Sequence, residues 1–246
     1  MSQEIADKVR SIPKPQIFGF AKIGREANLQ QLRQGRLYCR RHSYYREIEA
    51  GKPLAAHQDV NDGIGAVFQP EGITIQFGDV VISGTADLVG GTVASYDYEN
   101  PIFCLHAIYA GGNWTASEEA DELKGLEDAL RIPSKMDEFG SHIWVIAKRG
   151  EFFRRLHAAC DAQSIHLEHT FVRYVDADQV HGVLPEKMQP FVKLRDFEQE
   201  REYRILLGSK EGLPDPFILD VGPLDDITHV LPLAEVRAQW SIRKRS

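Results

Sequence analysis

The amino-acid sequence predicts an α+β fold with mixed, mainly antiparallel sheets and a few flanking helices. Strand-like segments outnumber helical ones, and the connections between them are mostly local. The regular alternation of strands and helices that would indicate a doubly wound parallel sheet is absent. Because no linker-like stretch divides the 246 residues, we expect one domain over residues 1–246, with a leader at 1–15 and a basic tail at 241–246.

The first half of the chain predicts mostly strands. Prolines in "IPKPQ" end the leader, "QIFGFAKI" predicts a strand, and "REANLQQLRQG" predicts a helix that ends at Gly35. "RLYCRRHSYY" predicts a further strand. The runs "ITIQF", "DVVIS" and "GGTVASY" predict a meander. "PIFCLHAIYA" is a short, nearly continuous apolar run and predicts a buried central strand.

The second half predicts two helices among further strands. "SEEADELKGLEDALRI" begins with a serine and acidic residues, as helices often do, and Pro133 ends it. "GEFFRRLHAACDAQ" places Phe152, Leu156 and Ala159 at helical spacing. The predicted strands are "SHIWVIAK", "HTFVRYVDA", "REYRILLG" and "PFILDVG".

Composition limits the classes of partner and compartment. The net charge of −7 argues against broad electrostatic binding to nucleic acid or to anionic membranes. No run approaches the ~18 apolar residues of a membrane span, and the first residues lack the apolar segment of a signal peptide. Cys39, Cys104 and Cys160 are far apart and odd in number, which favours a reducing compartment. We therefore expect a cytoplasmic protein without a membrane partner.

Several common catalytic motifs are missing from the sequence. There is no glycine-rich dinucleotide or phosphate loop and no Gly-x-Ser-x-Gly elbow. His166 and His169 occur in "HLEH", but strand-like surroundings would place their side chains on opposite faces. We predict no metal site.

The segment "RDFEQEREYRILL" (Arg195–Leu207) carries glutamates at every second position before it turns apolar. As a strand from Phe197 to Leu207, it would present one face that meets either water or a cleft. That face would carry Glu198, Glu200, Glu202, Arg204 and Leu206. Periodicity alone favours a solvated edge strand protected by charge.

Several motifs resemble a family of uncharacterised bacterial and phage proteins associated with mobile elements and defence. They are "LRQGRLYCRRHSYYRE" followed by "HQDVND", then "IFCL", "MDEFGSHIWVI", "VRYVDA" and "FVKLRDFEQEREYRILL". The most specific is the last, in which a lysine and an aromatic residue precede Glu-x-Glu-Tyr-Arg. Where that family usually carries an acid after the aspartate turn, this chain has Asn61 and Asp62.

The chain is also distantly similar to ADP-ribosyltransferases, which place a catalytic glutamate on a late strand, commonly as Glu-x-Glu. Glu200 and Glu202 match that pattern. The resemblance implies that NAD is used, that Glu202 stabilises an oxocarbenium-like centre, and that Glu200 activates the accepting nucleophile. In place of the usual Arg or His of the first strand, this chain offers Lys22 and Arg25.

The first hypothesis is therefore an intracellular enzyme of the ADP-ribosyltransferase type, a toxin or phage-defence effector that could have a protein partner or antitoxin. Arg204 and Lys193 would order the site or contact phosphate. Further site candidates are Tyr45, Arg46, Asp59 and His142. We expect Glu202, Arg204 and Lys193 to line a concave pocket with residues of the Tyr44–Asp62 segment.

Two alternatives stay open. One is a non-catalytic partner-binding or sensor module of a defence or mobile-element system, which would dock through the glutamate face. The other is a nuclease, which would need a divalent metal held by Asp59 or Asp62 together with the glutamates.

Overall fold

The computed structural model describes residues 16–45, 62–69, 74–83, 92–95, 99–111 and 120–242. The fold is α+β with mainly antiparallel sheets, which confirms the predicted class. Within the described ranges, no helix has both the length and the apolar character needed to cross a bilayer.

The chain forms two compact units. The described residues of the first unit are 41–45, 62–69, 74–83, 92–95, 99 and 171–198. Those of the second unit are 16–40, 100–111, 120–170 and 199–242. The expected single domain stays a prediction, and the expected leader lies outside the described residues.

The second unit is built on a six-stranded antiparallel sheet. In order across the sheet, its strands are β15 (Thr228–Pro232), β8 (His142–Ile146), β1 (Gln16–Gly24), β7 (Ile102–Ala110), β13 (Glu202–Gly208) and β9 (His166–Phe171). The strand β7 lies at the centre with its two faces covered, as its apolar sequence predicts.

Four helices belong to this unit among the described residues. They are α1 (Glu26–Arg33), α2 (Ala120–Leu130), α3 (Arg149–Ala162) and α4 (Leu233–Gln239). The helix α1 ends as predicted: Gly35 follows its last turn with a φ of 90°. A side chain at Gly35 would also overlap the backbone carbonyl of Gly222, so only glycine fits there.

The two faces of the sheet bury different clusters. On one face, apolar residues of β1, β7 and β8 pack with residues of α2 and α4 and with the 3-10 helix Ser134–Phe139. On the other face, α3 presents Phe152 and Leu156, which are four residues apart and fully buried. The ring of Phe152 meets Trp144 of β8 edge to face. Both helical predictions for this half of the chain are thereby confirmed.

A small antiparallel pair joins β2 (Arg36–Cys39) to β14 (Phe217–Asp220). The strand predicted for "RLYCRRHSYY" is correct only over β2. Its partner strand begins opposite Cys39, and Arg40 forms an isolated antiparallel bridge with Ile102. Residues 42–45 are helical.

The first unit contains smaller sheets. Its strands are β3 (Ile64–Phe68), β4 (Thr74–Phe77), β5 (Val80–Ser83), β6 (Thr92–Ser95), β10 (Arg173–Val175), β11 (Gly182–Val183) and β12 (Val192–Leu194). The strands β11, β3 and β6 form one antiparallel sheet, and β10 pairs with β12 in parallel. The predicted meander reduces to the β4–β5 hairpin, because β6 pairs with β3.

The core of the first unit is aliphatic. Its buried members are Ile64, Val67, Val175, Val180, Leu184 and Val192. The 3-10 helices Ala177–Gln179 and Glu186–Phe191 connect the strands that contribute them.

Candidate functional site

The glutamate-rich segment begins as a 3-10 helix rather than as a strand. Arg195–Glu200 is 3-10 helical, and β13 begins only at Glu202, opposite His106. Between them, Arg201 has a φ of 46°, a left-handed conformation that breaks the alternation of a strand. The predicted strand from Phe197 is therefore wrong over its first five residues, and Glu198 shares no strand face with Glu202.

Contacts of the Arg201 side chain hold this turn in place. Its Nη1 donates to the carbonyl of Ala129, 2.6 Å away in the last turn of α2, and its guanidinium lies 5.4 Å from the ring centroid of Tyr109. Carbonyls at a helix C-terminus lack intrahelical partners and carry partial negative charge, so a cation there is favourable. These contacts offset the strain of the left-handed residue and fix the point at which the chain enters β13.

Glu202 and Arg204 form a buried, bidentate ion pair on β13. Arg204 Nε donates to Oε1 of Glu202 at 2.7 Å, and Nη2 donates to Oε2 at 3.0 Å. Arg204 is 0% exposed and Glu202 is 6% exposed. Because β13 lies between β7 and β9, the solvated edge strand that periodicity favours is wrong.

A contribution to stability does not by itself explain this buried ion pair. Removing two charges from water costs about as much as their mutual attraction returns, and apolar replacements of such pairs are often neutral or stabilising. A bidentate guanidinium does, however, hold a carboxylate in one orientation.

Two residues of β7 complete a polar cluster beside the pair. In the antiparallel register, Cys104 lies opposite Arg204 and His106 lies opposite Glu202, so all four side chains emerge on one face of the sheet. We call Cys104, His106, Glu202 and Arg204 the polar cluster. Burial, followed by the Glu202 carboxylate, raises the pKa of the Cys104 thiol. Cys104 is therefore a protonated thiol at neutral pH and not a reactive thiolate.

His106 presents a fixed tautomer. Its Nδ1 lies 2.7 Å from the carbonyl oxygen of Glu200, and since a carbonyl only accepts hydrogen bonds, Nδ1 must carry the proton. Burial lowers the pKa of His106 to about 4, so the ring is neutral and Nε2 carries a lone pair. That buried Nε2 has no hydrogen-bond partner in the part of the chain that the structure describes. A hydroxyl group of a bound molecule could satisfy it.

The structure thus brings three of the predicted site residues to one place. Glu202 and Arg204 belong to the polar cluster, and the buried Glu200 orients His106 through its backbone carbonyl.

His142, also in the second unit, lies apart from the cluster. It begins β8, three strand positions from β13, or ~14 Å at the usual strand spacing. Its Nδ1 lies 3.0 Å from Ser141 Oγ, and its Nε2 lies 3.6 Å from Glu26 Oε2. These contacts account for His142 as a residue of local structure.

The remaining predicted residues lie in the first unit or outside the described residues. Lys193 is buried in β12, with Nζ 5.2 Å from the ring centroid of Phe197. Tyr45 packs edge to face with Tyr44. Arg46 and Asp59 lie outside the described residues, so the expected pocket of Glu202, Arg204 and Lys193 with the Tyr44–Asp62 segment stays a prediction. Asp62 is buried, 3.7 Å from His42 Nε2.

The first-strand candidates do not belong to the polar cluster. Lys22 Nζ donates to the carbonyl of Cys104 at 2.7 Å and lies 4.8 Å from the ring centroid of Phe103. Phe103 and Cys104 are adjacent on β7, so their side chains lie on opposite faces, and Lys22 is on the face away from Glu202. Arg25 is exposed at the start of α1.

The opposite face of β13 carries an aromatic cluster with two histidines. Tyr203 Oη lies 2.6 Å from His169 Nδ1, and His169 Nε2 lies 3.4 Å from His157 Nε2. The Phe153 ring stacks on His169 with a centroid distance of 4.9 Å. Partial burial, and then the neighbouring His157, lower the pKa of His169. We call His157, His169, Tyr203 and Phe153 the histidine–aromatic cluster.

Sequence reasoning missed His106 and His157. His106 had a detectable signal, because it is the one histidine within the apolar run "PIFCLHAIYA", where a buried polar residue needs a partner. His157 had none, since only the tertiary fold brings it to His169. Among the described residues, no group of three or more His, Cys, Asp or Glu side chains is arranged to hold a metal ion.

Comparison with known proteins identifies no relative of this chain. No family model, no curated protein and no solved structure matches the chain.

Proposed function

We propose that the protein is an intracellular enzyme of the ADP-ribosyltransferase type that cleaves the nicotinamide–ribose bond of NAD at the polar cluster. The observation that carries the proposal is the buried, bidentate Glu202–Arg204 pair on an interior strand of the sheet. Such a pair costs desolvation energy, and it sits beside two groups with strongly shifted pKa values, as functional sites often do.

In this proposal Glu202 is the catalytic carboxylate. As the nicotinamide leaves with the bonding electron pair, positive charge develops on the ribose, and a preorganised carboxylate stabilises it. Arg204 fixes the orientation of that carboxylate before the substrate binds. Nε2 of His106 accepts a hydrogen bond from a ribose hydroxyl or from the attacking nucleophile.

Glu200 has two roles in this scheme. Its carbonyl keeps the proton of His106 on Nδ1, which leaves Nε2 as the acceptor. Its carboxylate activates the accepting nucleophile, as the resemblance to ADP-ribosyltransferases implies. The wider resemblance adds the role of a toxin or phage-defence effector, with Lys193, Tyr45, Arg46 and Asp59 as further candidates for binding NAD.

The burial of the glutamates favours this proposal over docking through an acidic strand. Glu200 is 8% exposed and Glu202 is 6% exposed, so neither offers its charge to a partner protein. Of the three glutamates, only Glu198 is exposed.

The test combines purified protein, labelled NAD and cell extract, with transfer of label and release of nicotinamide as readouts. The variant Glu202→Gln is expected to lower both by about 100-fold or more, since it removes one preorganised electrostatic group. Glu198→Gln is the matched control, because it makes the same chemical change at an exposed site, and it should keep the wild-type rate. Docking through the glutamates predicts instead that both variants weaken a complex to a similar extent.

Folding is checked by thermal unfolding of each variant. If Glu202→Gln does not fold, Glu202→Asp keeps the charge of the ion pair but withdraws the carboxylate by one methylene, and it should lose activity while folding. A folded Glu202 variant with the wild-type rate, or no NAD cleavage or transfer by the wild-type protein, contradicts the proposal.

A further inference from the structure

Two histidines of the histidine–aromatic cluster bring the same ring atom close together. His157 lies on α3 and His169 on β9, and their Nε2 atoms are 3.4 Å apart. His157 is exposed, so this point is reached from solvent.

The separation matches a metal-bound histidine pair. At a tetrahedral Zn²⁺ with Zn–N bonds of 2.0–2.1 Å, two ligand nitrogens lie ~3.3–3.4 Å apart. The separation of the two Nε2 atoms is therefore the one that shared binding of a single ion requires.

The second ring nitrogen of His169 is already oriented. Nδ1 lies 2.6 Å from the hydroxyl of Tyr203, whose oxygen accepts a hydrogen bond from Nδ1–H when Nε2 binds a metal. The stacked Phe153 ring, 4.9 Å away between centroids, restricts rotation of the imidazole. Metal-binding histidines usually have such a hydrogen-bond partner, and it fixes the tautomer that leaves Nε2 as the ligand.

The turn between α3 and β9 sets the spacing of the pair. Ile165 N–H donates to the carbonyl of Cys160 and Ser164 N–H to that of Asp161, while Ser164 has a φ of 55°. These are the bonds of a Schellman motif, which ends the helix and reverses the chain. The strand β9 consequently runs back along α3 and carries His169 to His157.

We propose that His157 and His169 form a binding site for one transition-metal ion of the Zn²⁺, Ni²⁺ or Cu²⁺ class, with water in the remaining coordination positions. Imidazole nitrogen suits these ions, whereas Mg²⁺ and Ca²⁺ prefer oxygen ligands. The site lies on the face of β13 opposite the polar cluster and is independent of the function proposed for Glu202.

The test is calorimetric titration of full-length, tag-free protein with Zn²⁺. We expect one ion per chain. The affinity for Zn²⁺ should fall at least about tenfold in His157→Ala and about tenfold in Tyr203→Phe, because the second variant removes the hydrogen-bond acceptor for Nδ1 of His169. His166→Ala is the matched control, because this exposed histidine of the same strand lies on the opposite face from His169. The affinity of this variant for Zn²⁺ should equal that of the wild type. Mg²⁺ should give no binding at this site.

Electron paramagnetic resonance of the Cu²⁺-loaded protein gives a second readout, with coupling to two imidazole nitrogens expected in the wild type and to one in His157→Ala. Because His157 is exposed, thermal unfolding without metal should be the same for this variant and the wild type. Equal Zn²⁺ affinity of the wild type and His157→Ala, or equal loss in His166→Ala, would overturn the proposal. So would Cu²⁺ coupling to fewer than two nitrogens in the wild type.

Discussion

The two faces of strand β13 bury different kinds of polar group. On one face, Glu202 and Arg204 are buried as full charges beside a neutral His106. On the other, Tyr203 is buried with its hydroxyl bonded to His169, which in turn lies beside His157. A neutral hydroxyl–imidazole contact can stabilise the fold at little desolvation cost, whereas a buried ion pair cannot readily do so. The difference teaches that the buried charges of Glu202 and Arg204 call for a functional explanation, whereas the burial of Tyr203 does not by itself require one.

The largest expected effect is on the charged face. Glu202→Gln removes the carboxylate that binds the fully buried Arg204 in the bidentate ion pair, and we expect a loss of about 3–5 kcal/mol in the free energy of unfolding, measured by urea denaturation. The double variant Glu202→Met/Arg204→Leu replaces both charges by apolar groups and should be considerably more stable than Glu202→Gln. A Glu202→Gln protein as stable as the wild type would mean that the ion pair is not buried in solution.

The second prediction concerns pH and His106. The unfolded imidazole binds a proton below its usual pKa of 6.5, whereas the folded one does so only near 4. Between these values the unfolded state binds more protons, so stability falls as the pH falls from 6.5 to 4, by about 3 kcal/mol from this residue. Above pH 6.5 the residue contributes no pH dependence.

The variant His106→Gln keeps an N–H donor for the Glu200 carbonyl but cannot titrate. Urea denaturation at intervals from pH 7 to pH 4 should show a shallower decline for this variant than for the wild type. Parallel curves would contradict a buried, neutral His106.

The smallest effect is expected on the aromatic face, at the turn before β9. Ser164 has a left-handed backbone conformation that glycine adopts without strain. Ser164→Gly should therefore raise the free energy of unfolding by about 1 kcal/mol while it keeps β9 in register. Ser164→Ala is the control, because it retains the Cβ atom and should give no gain. Equal stability of the two variants would show that the turn is not strained.

The sequence predicts the fold well where a local pattern is decisive. The apolar run of β7 and the helical spacing of Phe152 and Leu156 both identify elements that the structure confirms. The strand β13 is correct from Glu202 onward, but its start is not, because alternating glutamates fit a strand and a 3-10 helix equally well. The left-handed Arg201 that separates them depends on a contact with α2, which lies 72 residues away.

In the candidate site, too, the sequence identifies some residues and leaves others to the tertiary fold. Glu200, Glu202 and Arg204 stand out in the sequence, and the structure places them together. Periodicity shows which residues share a face of a strand but not what covers that face, so burial of the pair was not predictable. Cys104 and His106 join it only through the β7–β13 register.

The most direct measurement of the central claim uses the histidines on the two faces as reporters. Imidazole signals are recorded by nuclear magnetic resonance while a carbocyclic NAD analogue that cannot be cleaved is added, with assignments from His106→Gln and His169→Ala. We predict that the His106 signals shift to saturation while those of His157 and His169 stay in place. Unmoved His106 signals at saturating analogue, or shifts confined to His157 and His169, would contradict an NAD site at the polar cluster.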